Sequence, residues 1–365
     1  MPALTLPYAS SAADERSGFV ISNDRIARAK RAYTTRHVPP DKMRRLLNGV
    51  CPAAGDLVLA RVARLGQHEH IERPDGRRAR MWEGDEIIVA YGNRYAPDQF
   101  EAYVPDDLDP CHLVAGGGVA SRVVVQHSAT KRATEIVPLG LLANAAGERL
   151  NLIKWGLAPV GPVHAKPYVF AVLGSSMNAG KTTAAAAITR GLSGAGYAVG
   201  AAKATGTGAG GDRWAMVDAG AKIVLDFTDA GHPSTFGLAP QRIEQLLGLL
   251  IGHVAAAGVE AIVIELADGL FQEDTAGLVE SGTFGRLVDG VVFASNSAMG
   301  AKGGADWLRA RSRPLLAISG VLTTSPLAAR EAAKATGLPV LSRHDLSHGT
   351  WWTELGAGPP APPRR

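Results

Sequence analysis

The sequence predicts an α/β protein: a doubly wound, mostly parallel sheet in its second half, preceded by a small antiparallel, β-barrel-like domain. Three observations carry this. An apolar run, Tyr168 to Leu173, meets Gly174-Ser175-Ser176-Met177-Asn178-Ala179-Gly180-Lys181-Thr182-Thr183 and then an alanine-rich segment of helix formers. From there to Leu341, β-branched runs alternate with segments of helical periodicity, the pattern of strand and helix units around a parallel sheet. Before residue 160 the runs are short, rich in β-formers and punctuated by turn residues.

The chain of 365 residues is 46% hydrophobic, enough for about two packed domains of roughly 150 residues each. The expected organisation is a mobile N-terminus over 1–17, a β-rich barrel or sandwich over 18–160, a phosphate-binding domain over 161–352 and a mobile Pro-rich tail over 353–365. No apolar stretch reaches the roughly 18 residues of a membrane-spanning helix, and Asp14 and Glu15 interrupt any secretory signal pattern. A cytoplasmic protein with no membrane partner is expected. Cys51 and Cys111 are too few for a disulfide framework and lack metal-ligand spacing. The net charge of +4 is small, which argues against a dedicated nucleic-acid surface.

In the first half, eight basic residues between Arg25 and Arg45 read as a solvated face. The runs Leu57–Val62, Glu86–Tyr91, Gln99–Val104 and Ser121–Val125 read as strands, with Pro74-Asp75-Gly76 as a hairpin turn. Gly116-Gly117-Gly118 reads as a bulge or tight bend. The prolines and glycine from Gly156 to Lys166 place a linker near residue 160.

The chemistry concentrates in the second half. A phosphate loop needs backbone N–H groups, an ammonium for the terminal phosphates and a hydroxyl for Mg²⁺, and Gly180, Lys181 and Thr182 match these needs. The usual spacing would put the first glycine at 175, where Ser175 stands, with Gly174 one place earlier. The strand around Tyr197–Ala202 leads to Lys203, and ligands of a parallel sheet sit beyond strand carboxyl ends, so Lys203 should face the same crevice. Asp212 opens a helix. Glu265 ends the buried strand Glu260–Ile264 and is a candidate for Mg²⁺. Helices are expected over Pro240–Ala257, Ala301–Arg311 and Pro326–Ala335, and strands over Lys222–Asp226, Val288–Ser295, Leu315–Leu322 and Pro339–Leu341.

The second half resembles the dethiobiotin synthetase-like branch of P-loop proteins, which includes cobyrinic acid amidating enzymes and MinD-type ATPases. The loop Gly174 to Thr182 is similar to that branch's long G-T-D-x-x-V-G-K-T loop. Lys203-Ala204-Thr205-Gly206 resembles its K-P-V-x-[ST]-G, Ile264 to Gly269 its V-E-G-A-G-G, and Phe293 to Gly300 its Asn-containing loop. The resemblance implies nucleotide contacts from the whole of 174–183, with Asn296 near the base, and metal ligation by Thr182, Asp212 and Glu265. Ser176 and Ala204 depart from the pattern.

The expectation that follows is an ATP- and Mg²⁺-dependent enzyme, a ligase or kinase, that phosphorylates a small carboxylate-type substrate. Lys181 and Lys203 are its catalytic cations. Its expected partners are an acidic small molecule and a second copy of the chain. Two alternatives remain open: a nucleotide-dependent switch whose β domain grips a macromolecule, and group transfer with another phosphate-bearing cofactor such as coenzyme A. No [NT]-K-x-D guanine-reading motif is present, which favours ATP over GTP.

Overall fold

The structure is a computed structural model that describes residues 18–161, 166–348 and 350–361. The expected mobile N-terminus, 1–17, lies outside these residues, as does the end of the expected tail.

Five strands of the first half close on themselves: β1 (Leu57–Arg64), β2 (Glu86–Tyr91), β3 (Cys111–Ala115), β4 (Val119–Gln126) and β5 (Thr134–Ala143). Strand β5 pairs with β1 and β3, β1 with β2, and β3 with β4, all antiparallel, while β2 and β4 complete the ring in parallel. The barrel is therefore closed and mixed where an antiparallel one was expected. The chain leaves β2 through the hairpin Arg94–Tyr95 with Phe100–Tyr103 and re-enters through β3, so β4 arrives running in the same direction as β2. Alternate residues fill the barrel, among them Val58, Ala60, Val62, Ile87, Val89 and Leu113. The opposite faces of β1 and β2, with Leu57, Leu59 and Ile88, are covered by Ile21, Ile26, Val38 and Met43.

The second half holds six strands: β6 (Tyr168–Gly174), β7 (Val199–Lys203), β8 (Ile223–Asp226), β9 (Ala261–Glu265), β10 (Gly290–Ala294) and β11 (Leu315–Ser319). Their order is β8-β7-β9-β6-β10-β11, all parallel. Expected strand Pro339–Leu341 contributes only a single parallel bridge, Val340 to Ile318. Both faces are buried, as near-continuous apolar strands require. On one face α1 (Lys181–Gly194) packs Ala184, Ile188 and Leu192 against Phe170, Val172 and Val263. On the other, α3 (Pro240–Ala256) packs Leu246, Leu247 and Leu250 against Val169, Ala171 and Ile264. The short helix α2 (Gly211–Asp218) follows β7.

A buried polar cluster joins the two sheets. Tyr33 donates a 2.5 Å hydrogen bond to Asp226, and Arg36 and His37 reach Asp229 at 2.5 and 2.7 Å. Arg36 also lies 4.0 Å over the Tyr33 ring. The solvated reading of the basic segment fails at Arg36, because three acceptors across the interface compensate its burial. Gly117 lies in the turn between β3 and β4, where its backbone presses against Gly208 beyond β7. At the other end, the helix Trp351–Glu354 crosses the expected tail boundary. Trp352 is fully buried, and the chain folds back so that Ala357 N–H bonds the Trp352 carbonyl at 2.7 Å and Pro359 is buried. No helix among the described residues is long and apolar enough to cross a membrane.

Candidate functional site

Strand β6 ends at Gly174 and α1 begins at Lys181, so the loop between them lies at the carboxyl edge of the sheet. A Cβ at Gly174 would sit 2.8 Å from Lys181 Cγ. The early glycine thus makes room for the lysine stem. Gly180, the cap residue of α1, has φ of 95°, and Asn178 also adopts a left-handed backbone at 62°, which glycine tolerates freely and asparagine more readily than most residues. The N–H groups of Met177, Asn178, Gly180 and Lys181 have no protein acceptor among the described residues, as expected for a loop that opens a helix.

Lys181 Nζ donates to the Ser176 carbonyl at 2.7 Å, and burial pushes its pKa down. Thr182 Oγ1 lies 3.0 Å from Asp212 Oδ1 and 2.9 Å from Glu265 Oε1. Asp212 pairs with Lys203 Nζ. The helix is capped by Gly210, so the Asp212 carboxylate faces the site rather than closing its own helix end. Sheet register explains the rest: Val172, Glu265 and Lys203 are partners across β6, β9 and β7, which sets Lys203 and Glu265 side by side.

Electrostatics follow from crowding. Burial, then the Asp212 charge, raises Glu265 to about 7, and its Oε2 is a buried oxygen without a hydrogen-bond partner. Burial alone would raise Asp212 and lower Lys203, but their pairing overrides it, holding Asp212 below and Lys203 above their ordinary values. A cavity of about 430 Å³ opens over these groups.

Of the sequence-predicted residues, Met177, Asn178, Gly180, Lys181, Thr182, Thr183, Lys203, Asp212 and Glu265 line that cavity. Gly174, Ser175, Ser176 and Ala179 are not on its lining. Ser175 N–H is spent on the Ala294 carbonyl at 2.9 Å, and the Ala179 carbonyl accepts from Val321 N–H at 3.0 Å. Asn296 follows β10, next to β6, but is exposed and does not line the cavity. Asp268, also on the wall, was visible in sequence only as an acid close behind Glu265; burial raises it, against Lys181 and Lys203.

The oxygens of Asp212 and Glu265 converge on the Thr182 hydroxyl at 3.0 and 2.9 Å, an all-oxygen set of the kind that suits a shared hard cation. Among the described residues no three His, Cys, Asp or Glu side chains form a metal cluster. A Mg²⁺ held here would draw on Thr182 and these two acids, with phosphate and water completing its shell. Strand, glycine-ended loop, Lys181, Thr182 and the strand-ending acid together have the arrangement of a phosphate-binding loop at the edge of a parallel sheet.

No known family's sequence pattern matches the chain, and no curated protein matches it either. Among solved structures, it is similar to the signal recognition particle 54 kDa protein from Aeropyrum pernix K1 in complex with GDP, at 18% identity and a TM-score of 0.36, covering 54% of this chain and 46% of that one. The chain thus spans less than half the length of that protein. The receptor FtsY from Elizabethkingia anophelis matches at 15% identity and a TM-score of 0.38, over 56% of this chain and 68% of that one. FtsY from Mycoplasma mycoides matches at 13% identity and 0.35, over 52% and 65%.

Proposed function

We propose that the chain is an ATP- and Mg²⁺-dependent cytoplasmic enzyme that transfers the terminal phosphoryl group to a small carboxylate-type acid, as a ligase or kinase does. The observation that carries this is the Thr182 hydroxyl set between Asp212 and Glu265, with Lys181 and Lys203 in the same cavity. The resemblance of the loop to the dethiobiotin synthetase-like branch supports it. When bound, Mg²⁺ supplies charge neutralisation on the phosphate oxygens.

Lys181 leaves the Ser176 carbonyl for the terminal phosphates and offsets charge that develops there. Lys203, held by Asp212, orients the acid against the phosphate. A carboxylate nucleophile is already ionised at neutral pH and needs no base. Among the described residues the cavity wall contains neither His nor Cys, which suits catalysis by positioning and charge alone.

The test measures the thermal midpoint of the full chain with Mg·ATP, Mg·GTP and coenzyme A, beside ADP release across a panel of small acids. A midpoint rise with Mg·ATP that Lys181→Ala removes, and ADP release that needs an acid, are expected. No response to any of the three ligands sinks the site. A second reading, a nucleotide-driven switch, has one observation in its favour: Asn178 of the loop bonds Asp98 of the barrel at 2.6 Å. ADP release stimulated by a macromolecule and by no acid would favour it.

A further inference from the structure

Helix α2 carries Asp212 into the site, yet its own sequence does little to fix where it starts. The chain from β7 enters it through Gly208-Ala209-Gly210-Gly211, in which glycine leaves the backbone free. A helix start is ordinarily held by a Ser, Thr, Asp or Asn side chain at the cap, and by a Glu or Gln three residues later that reaches back to the cap N–H. Here the cap is Gly210, which has no side chain to offer, and the residue three later is Arg213, a donor that cannot accept. Asp212 is spent on Thr182 and Lys203.

The missing acceptor comes from the other domain. The barrel carries a hairpin that pairs His70–Glu72 with Arg78–Arg80, and Glu72 Oε2 accepts from Gly210 N–H at 2.6 Å. Glu72 is itself fixed, because its own N–H bonds the Gly116 carbonyl at 2.8 Å, in the turn between β3 and β4. That turn and the hairpin tip also press on the entry to α2. A Cβ at Gly117 would collide with the Gly208 carbonyl, and one at Gly76 would sit 2.7 Å from the Trp214 ring. The glycines at 76 and 117 thus let the barrel close onto the segment that leads into Asp212.

We infer that Glu72 is a positioning residue of the Mg²⁺ site: from the barrel it holds the start of α2, and through it sets the Asp212 carboxylate against Thr182. This rests on the Mg²⁺-nucleotide part of the reading above and not on the identity of the acceptor acid. A hydrogen bond to a charged acceptor is stronger than a neutral one, and a carboxylate at a helix N-terminus also suits the helix dipole. Asp212 lies two residues beyond the held N–H, so slack at Gly210 passes directly to its 3.0 Å contact with Thr182. The coupling is reciprocal: a cation that draws Asp212 to Thr182 also favours the hairpin contact.

The test is calorimetric titration of the full chain with ATP, in Mg²⁺ and in chelator. Glu72→Ala should weaken ATP in Mg²⁺ by about fivefold or more and change affinity in chelator by less than about twofold. Glu72→Gln keeps an oxygen that accepts the Gly210 N–H and should stay within about twofold of the parent. Gly117→Ala leaves Glu72 in place but pushes on Gly208, and should reproduce the selective loss. Amide exchange needs no substitution: in the parent chain Mg·ATP should slow exchange in the hairpin 70–80, which does not line the nucleotide cavity, and ATP in chelator should not. Equal losses in Mg²⁺ and chelator, no loss at Glu72→Ala, a Gln variant as weak as the Ala variant, or hairpin exchange indifferent to Mg²⁺ overturns the inference. A parent chain that binds no nucleotide sinks it together with the phosphoryl-transfer reading. The selective loss without any acid-stimulated ADP release would instead sink that reading alone and leave Glu72 in its role.

Discussion

Asn178 Nδ2 donates a 2.6 Å hydrogen bond to Asp98 Oδ2, so the phosphate loop is held by a hairpin of the barrel. Burial raises the pKa of Asp268 on the cavity wall, and the Asp98 charge adds to that rise as the smallest of its causes. Asp98→Asn keeps a hydrogen-bonding amide and removes that charge. It should tighten Mg·ATP by roughly two- to fivefold, the worth of an exposed charge of about 0.5–1 kcal/mol. Added salt should narrow the difference between parent and variant. Weaker binding would show that Asp98 holds the loop ready for nucleotide rather than opposing it.

Thr182→Val conserves shape and removes the oxygen shared by Asp212 and Glu265. The Mg²⁺-dependent part of nucleotide affinity should fall by about tenfold or more, while affinity measured in chelator changes little. Equal losses with and without Mg²⁺ would place the hydroxyl's role in packing or on phosphate.

Glu265 offers a pH test. Its pKa is about 7 in the folded chain against an ordinary 4.5. Below pH 4.5 it is protonated folded and unfolded; between 4.5 and 7 the unfolded chain releases the proton and the folded one keeps it. The folded state binds more protons there, so stability falls as pH rises through that window. Glu265→Gln escapes this cost. In metal-free buffer it should gain about 2–3 kcal/mol on the parent chain between pH 5 and pH 8, read as the difference between their urea unfolding curves. An advantage that does not change with pH would mean the carboxyl is already ionised at low pH.

Asp229 anchors the joint between the sheets, accepting from Arg36 at 2.5 Å, His37 at 2.7 Å and Asp226 N–H at 2.7 Å. Asp229→Asn leaves Arg36 buried with a weakened partner and should cost about 2–4 kcal/mol in urea unfolding. A loss under about 0.5 kcal/mol would mean Asp226 and water satisfy Arg36 unaided.

Local chemistry is what the linear order shows well. The apolar run into Gly174, Gly180-Lys181-Thr182 and the helix formers after it specify strand, loop and helix through neighbours in sequence. The strand ends at Lys203 and Glu265 are legible because a buried strand is apolar until it reaches the edge of the sheet. Arg36 and Asp98 were not legible. Their partners, Asp229 and Asn178, are distant along the chain, and a charged residue in a turn or short helix looks the same whether it meets water or another domain. The parallel closure of β2 on β4 was hidden for a related reason, since strand composition does not encode strand direction.

By itself the sequence determined the sheet order's raw material, the phosphate loop and which acids and lysines end the strands, because periodicity, glycine placement and helix propensity act over a few residues. Only the tertiary structure decided that Thr182 is shared by Asp212 and Glu265, that Ser175 spends its N–H on the sheet and that Asn296 stands clear of the cavity. Those relations depend on strand register and helix packing, which are set by the burial of the whole core rather than by any single segment.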